Sequence, residues 1–304
     1  MIFGVSLETF AQLTANGIFR GAAYGLLGAG FAIILGVTGR FHFAYGFTYT
    51  LSAYGAFTFW DRVGLPFWPA VAGGLIVSTL VGVLIERFIY RSLAVQAGAT
   101  ALLAIFVAAL GIGIAGENLI RLFWGSESQA FFGPAQEPWT LWKVTFLNFD
   151  VWQAGSSLGL VVALALVMRY TSLGRRLKAT RVNPELATII GINANGVYLV
   201  AFAIGSFFAA VAAFWYGLQF TVEPAMGTRP VIFAFVVAFL AGTASSPVRV
   251  FLAGVAVALA EQWTSIFISV RWTQTAVFVL LLAYLVVRSL ETNPLVVRLR
   301  ARSA

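Results

Sequence analysis

The chain returns again and again to runs of about 20 residues that are almost wholly apolar, the length needed to cross a bilayer as a helix. Such runs lie near residues 10–37, 41–60, 67–88, 99–121, 152–169, 197–219, 230–246, 251–268 and 272–289. Glycines and polar residues interrupt the first, second and seventh. The rest of the inventory agrees. The 304 residues include only 19 Lys and Arg and 11 Asp and Glu. A soluble domain of this length carries about 25% charge. A water-soluble surface cannot be assembled from so few charged groups, which excludes a soluble enzyme, a nucleic-acid-binding protein and a disordered scaffold. The expectation is an all-α integral membrane protein of about nine transmembrane helices, a single transmembrane domain over 1–304.

The basic residues orient it. With the loops that end odd-numbered helices on one side, that side receives Arg40, Arg87, Arg91, Arg169, Arg175, Arg176, Lys178, Arg181, Arg249, Arg288, Arg298, Arg300 and Arg302. The other side receives Arg62, Arg121, Lys143, Arg229 and Arg271. Cations gather in cytoplasmic loops, so the first side is expected to be cytoplasmic, the N-terminus outside and the C-terminus inside. An eight-span version would place the N-terminus inside. Residues 1–9 hold no Lys or Arg, so the first apolar stretch does not read as a cleaved signal. Cysteine is absent and His42 is the lone histidine, so neither a thiolate nor a histidine-rich metal site is expected. His42 itself reads as an interfacial residue at the start of the second span.

Two loops are long. The outer one, 122–151, is rich in aromatics, among them Trp124, Phe131, Phe132, Trp139, Trp142 and Trp152. It reads as an interfacial belt with a short helix lying on the membrane, or as a docking surface for an extracellular partner. The inner loop, 170–196, contains a short helix with its own punctuation. Asn183 is a good N-cap, Pro184 fits the first helical position, Glu185 sits at the positive end of the dipole, and Gly191 suits the left-handed residue past the C-cap. Such a helix suits a partner's groove, or is an ordinary surface helix between spans.

Inside the spans, Gly17, Gly21 and Gly25 recur every four residues, a stripe that admits another helix closely or lines a path with backbone. Arg20, Glu261 and the pair Glu117/Asn118 fall within spans. A charge there usually faces protein or water, as a buried pair (Arg20 with Glu261 or Glu117) or as part of a solute path. Arg20 presents a planar fork suited to a carboxylate. Tyr24, Tyr45, Thr48, Tyr49 and Ser52 offer hydroxyls to a path, or pack and bond within their helices.

The segment from Thr171 to Gly217, TSLGRRLKATRVNPELATIIGINANGVYLVAFAIGSFFAAVAAFWYG, resembles the corresponding stretch of branched-chain amino acid type ABC transporter permeases, the shorter permease of the pair. Glu185, Ala187 and Gly191 match that group's Glu-Ala-Ala-x-x-x-Gly motif, with Leu186 for the middle Ala. The first two spans, the ERFIYRSL ending the third and the GLQFTVEPAMGTRPVIFAF before the seventh agree. The chain departs at His42-Phe43-Ala44-Tyr45-Gly46-Phe47, where the family carries Asn-Phe-Ala-His-Gly and a polar or acidic residue, and at Arg20, where it is apolar. The resemblance implies one half of an ATP-driven importer in a bacterial inner membrane, moving branched-chain amino acids or a related small polar or carboxylate solute by alternating access. It implies a second homologous permease, two ATP-binding subunits and an extracytoplasmic solute-binding protein, with membrane lipid around the chain and no nucleic acid. Pro184, Glu185, Ala187, Gly191, Arg175 and Arg176 would couple to the ATPase, with Glu185 and Ala187 forming the contact face. Arg20, Tyr24, Tyr45, Thr48, Tyr49 and Glu261 would line the path. No Gly-x-x-x-x-Gly-Lys-[Ser/Thr] occurs, so ATP and Mg would be used by the partners and no cofactor by this chain. The other reading is an ion-coupled secondary transporter, with Glu261 as its intramembrane acid.

Overall fold

A computed structural model describes residues 6–130, 138–141 and 143–269, with scattered positions between 272 and 286. Its helices are α1 (Leu7–Thr38), α2 (Tyr45–Asp61), α3 (Phe67–Leu84), α4 (Arg91–Gln96), α5 (Ala101–Trp124), α6 (Asn148–Tyr170), α7 (Ser172–Val182), α8 (Pro184–Ile189), α9 (Ala194–Gln219), α10 (Thr228–Ala241) and α11 (Pro247–Thr264). A π-helical turn, Ile85–Tyr90, joins α3 to α4 without a break. Five stretches among the described residues are long and apolar enough to cross a membrane: Leu7–Thr38, Phe67–Gln96, Gly98–Trp124, Asn148–Tyr170 and Ala194–Gln219. α2 and α10 are shorter and fall in two of the three segments where the sequence pattern is interrupted, whereas the first segment forms the long α1. Most of the ninth expected span, and Arg271, Arg288, Arg298, Arg300 and Arg302, fall outside the described residues.

α1 is the central post, with α6, α9, α10 and α11 packed around it, and α2 and α3 extend the core against α9. The glycine stripe does what a small-residue row permits. A Cβ on Gly21 would lie 2.5 Å from Val255 Cα, and one on Gly25 2.9 Å from Phe251 Cα, so only glycine lets the α11 backbone come so near. α5 turns large side chains outward instead, including Leu103, Val107, Ile114 and Leu122, a surface suited to lipid.

The outer loop corrects one expectation. In place of a surface helix it forms a hairpin, β1 (Pro138–Leu141) with β2 (Val144–Leu147). Lys143 takes φ 67° in its tight turn. The amide of Gln12 on α1 pairs with the outer edge of β2: its Nε2 donates to Thr145 O and its Oε1 accepts from Thr145 N, both at 2.8 Å. Lys143 pairs with Glu8. The hairpin is thereby tied to the start of α1. Phe131, Phe132 and Trp142 lie outside the described residues. α7 was also not foreseen as a helix. Thr171 Oγ1 caps it by accepting from Gly174 N at 3.1 Å, and Gly174 nests against Val167 and Met168 with no room for a Cβ.

Candidate functional site: a charged cavity and a capped helix at opposite ends

At the hairpin end of the bundle a cavity of about 570 Å³ opens between α1, α6, α9 and the start of α10. Its size is ordinary for a small-solute site. Leu27, Tyr49 and Ala212 are its deepest lining residues along α1, α2 and α9.

One wall is built on a buried carboxylate. Glu261 Oε2 accepts from the Tyr24 hydroxyl at 2.9 Å, and Oε1 accepts from Arg229 Nη2 at 2.9 Å. The Glu261 side chain is 4% exposed, whereas that of Arg229 is 56% exposed. Tyr24 stacks on Phe233 with ring centroids 4.4 Å apart, and the Arg229 guanidinium lies 5.7 Å from the same ring's centroid. Three helices thus hold one cation in a fixed place at the cavity edge.

The facing wall is acidic and amide-rich. Asp150 accepts from Leu147 N at 2.9 Å and from Gln219 Nε2 at 3.1 Å, and Gln219 also donates to Gln153 at 2.8 Å. Arg20 and Glu223 line the same cavity and are exposed to it. Neither side chain has a hydrogen-bond or ion-pair partner among the described residues. Phe19, Leu27, Met226 and Phe233 supply apolar surface. Two cations, two carboxylates and an apolar patch suit a small zwitterion with an apolar side chain. Nothing in the arrangement pairs a nucleophile with a base.

Of the expected path residues, Arg20, Tyr24 and Tyr49 line this cavity. Glu261 lies behind it and acts on it through Tyr24 and Arg229. Tyr45 and Thr48 do not line it. They are buried in helix packing, where the Tyr45 hydroxyl donates to Leu27 O at 3.2 Å and Thr48 Oγ1 to Tyr45 O at 2.9 Å. Ser52 is likewise used, on Ala210 O at 3.2 Å. The partner of Glu261 is Arg229, not Arg20, and Glu117 pairs with Arg121 one turn on. The sequence places Arg229 only among the outer-side loop charges and singles out neither Asp150 nor Glu223. Their position beside a span end, next to Pro230, Asn148 and Pro224, was the available signal. His42 is also corrected: it is fully buried rather than interfacial, with Nδ1 3.0 Å from the Tyr90 hydroxyl.

The opposite end carries α8. Asn183 Oδ1 accepts from Glu185 N and Leu186 N, both at 3.0 Å, with Pro184 in the first turn. Gly191 takes φ 86°. Its N–H donates to Thr188 O at 3.0 Å and that of Ile192 to Ala187 O at 2.9 Å, the paired bonds of a Schellman stop. The face of α8 differs from expectation. Ala187 is 2% exposed and packs inward. Glu185 is exposed together with Leu186, Ile189 and Ile190, and Val182 just before it. Arg175, Arg176 and Lys178 stand exposed on α7.

Comparison with known proteins follows the same lines. Residues 13–287 match the family described as branched-chain amino acid transport system, permease component. The high-affinity branched-chain amino acid transport system permease protein LivH of Escherichia coli K12 is 27% identical, over 91% of this chain and 93% of its own. The corresponding protein BraD of Pseudomonas aeruginosa is 29% identical, over 92% and 94%. A chain of the structure titled PsaBC from Streptococcus pneumoniae in complex with Fab is similar in fold, with a TM-score of 0.51, 13% identity and 94% of each chain covered.

Proposed function

The chain belongs to the branched-chain amino acid transport permease family, a family of membrane subunits rather than enzymes, and from that premise we propose that it is the permease subunit of an ATP-driven importer in a bacterial inner membrane. Its partners are a second related permease, two ATPase subunits that use ATP and Mg, and an extracytoplasmic solute-binding protein. The hairpin end faces outward and the α8 end faces the cytoplasm. Arg169, Arg175, Arg176, Lys178 and Arg181 cluster at the α8 end, which supports that orientation.

The observation that carries the reading is the pairing of an open, charged cavity at one end with an independently capped, apolar-faced helix at the other. Solute released outside enters the cavity. Arg20 and Arg229 take its carboxylate, Glu223 and Asp150 its ammonium, and Phe19, Leu27 and Met226 its side chain. Branched-chain amino acids, named for the relatives LivH and BraD, have this chemistry. Leu186, Ile189 and Ile190 seat in the ATPase, so nucleotide-driven movement of that subunit reaches α9 through the short 190–193 connection. Alternating access follows when that movement closes the cavity and opens the α8 end. Replacing Gly191 with Leu forces a Cβ into the left-handed region and distorts the stop of α8. The variant is expected to insert normally and to lose the stimulation of ATP hydrolysis by the loaded binding protein. Full stimulation in that variant contradicts the assignment.

A further inference from the structure

The connection from α1 to α2, residues 39–44, sends every second residue into the interior: Arg40, His42 and Ala44 are buried. Buried polar groups need partners, and the two polar ones find theirs in the π-helical turn Ile85–Tyr90. Arg40 pairs with Glu86, and His42 Nδ1 lies 3.0 Å from the Tyr90 hydroxyl. α9 closes the third side with Tyr198 and Phe202, four residues apart and so on one face. The Arg40 guanidinium lies 5.0 Å from the ring centroid of Tyr198, and the His42 ring meets that of Phe202 with centroids 4.9 Å apart. Two rungs therefore run side by side, Tyr198–Arg40–Glu86 and Phe202–His42–Tyr90, each joining α9, the end of α1 and the end of α3.

Stability alone does not account for the first rung. Desolvating two charges costs about as much as their attraction returns, and well-packed apolar residues often hold as well. The best-attested use of a buried pair is to fix one arrangement of the parts it joins. Polar pairing is also left incomplete here. Among the described residues five buried side-chain atoms lack a hydrogen-bond partner. Three are hydroxyls spread over α6, α7 and α9, and the other two, Glu86 Oε2 and His42 Nε2, both belong to the rungs. The π-helical turn is a further departure of a kind that recurs at functional positions.

The place of the rungs gives their part. α9 starts at Ala194, directly after the stop of α8, and Asn193 Oδ1 caps it by accepting from Gly196 N at 3.1 Å. Tyr198 stands about 6 Å along α9 by helix rise. The connection between the two helices is thus hydrogen-bonded at both ends, and displacement of α8 reaches Tyr198 before any deeper part of α9.

We propose that Arg40 is a positioning residue for coupling, the joint at which movement of α8 passes from α9 to α1 and α3 together. This rests on the permease reading and adds where the ATPase's displacement goes once it has entered the chain. One guanidinium holds Tyr198 by its ring face and Glu86 by its charge, so the three elements move as one body. Without that grip, α8 and the start of α9 follow the ATPase while α1 and α3 stay behind.

The test is the number of ATP molecules hydrolysed per leucine imported by the assembled transporter in proteoliposomes, with its binding protein present. Tyr198→Leu removes the ring face and keeps an apolar side chain of similar reach. It is expected to retain ATPase and to raise the ratio by about fivefold, what a buried cation–π contact contributes to an equilibrium. Arg40→Gln with Glu86→Gln removes both charges together, so that neither is orphaned, and is expected to raise the ratio likewise. Tyr198→Phe keeps the ring and is expected to hold the ratio of the intact chain. Hydrolysis and uptake falling together, at an unchanged ratio, overturn the joint, because the rungs then only hold the fold. A rise in Tyr198→Phe as large as in Tyr198→Leu overturns it as well. Absence of any ATPase on the intact chain removes the permease reading and the joint with it, whereas an unchanged ratio removes the joint alone.

Discussion

Two ion pairs built from the same residue types sit in this bundle in opposite circumstances. In the Arg229–Glu261 pair the carboxylate is buried but the guanidinium is more than half exposed to a cavity. In the Arg40–Glu86 pair the side chains are 8% and 3% exposed. The first can give part of its cation's field to a visiting carboxylate and keep Glu261 satisfied through Tyr24. The second has no solvent on either side, so neither charge can leave without opening the protein. The contrast separates a cation offered to a cavity from a clamp inside the packing, and it follows from burial alone.

The sharpest way to break the contrast is to remove the carboxylate from each pair. Glu86→Ala leaves Arg40 buried and uncompensated, and a loss of about 3–5 kcal/mol is expected. Glu261→Ala leaves Arg229 free to turn into the open cavity, so a loss of about 1–2 kcal/mol is expected. Thermal unfolding of the two purified variants in detergent measures the difference, and equal losses would erase the distinction. The next largest effect is on transport rather than stability. Arg20→Ala removes the unpaired cation of the cavity, and uptake by the assembled transporter is expected to fall about tenfold, equivalent to about 1.4 kcal/mol of lost solute interaction. Assembly should be unchanged, since Arg20 holds nothing in place. Unaltered uptake would show that the cavity does not read the carboxylate through this residue. The smallest effect belongs to the other end. Asn183→Ala removes the acceptor for two backbone N–H groups of α8 and is expected to weaken ATPase binding by about 1 kcal/mol, roughly fivefold. No change in a titration of ATPase onto the permease would mean that α8 is held by its packing alone.

The two ends also differed in how plainly the sequence announced them. α8 was legible because everything that defines it is local: Asn183, Pro184 and Gly191 act within a few residues of one another. Its exposed face was misjudged at Ala187, because burial depends on α7 and α9, which a motif does not describe. The glycine stripe was legible as an invitation to close packing, but its occupant, α11, lies more than 200 residues away in the chain. The ion pairs were illegible for the same reason. Arg40 and Glu86 are 46 positions apart, Arg229 and Glu261 are 32 apart, and each cation stands at the edge of an apolar run. There it reads as a loop charge sorted by the membrane. The hairpin carried no Asn-Gly or Asp-Gly signal, and its turn is made by Lys143 in a conformation that side chains seldom adopt. The π-helical turn has neither Gly nor Pro to mark it, so ERFIYRSL reads as the end of an ordinary span.

The cavity serves transport only if α8 is where ATPase force enters. Co-purification of the ATPase subunits with tagged chain, intact or carrying Ile189→Asp, tests this most directly. Ile189 is 79% exposed on a capped helix, so a charge there leaves the fold alone while spoiling an apolar seat. The account predicts that ATPase accompanies the intact chain and is lost at least severalfold from the variant, at equal recovery of the permease itself. Undiminished ATPase with the Ile189→Asp chain, or none with the intact one, would contradict it.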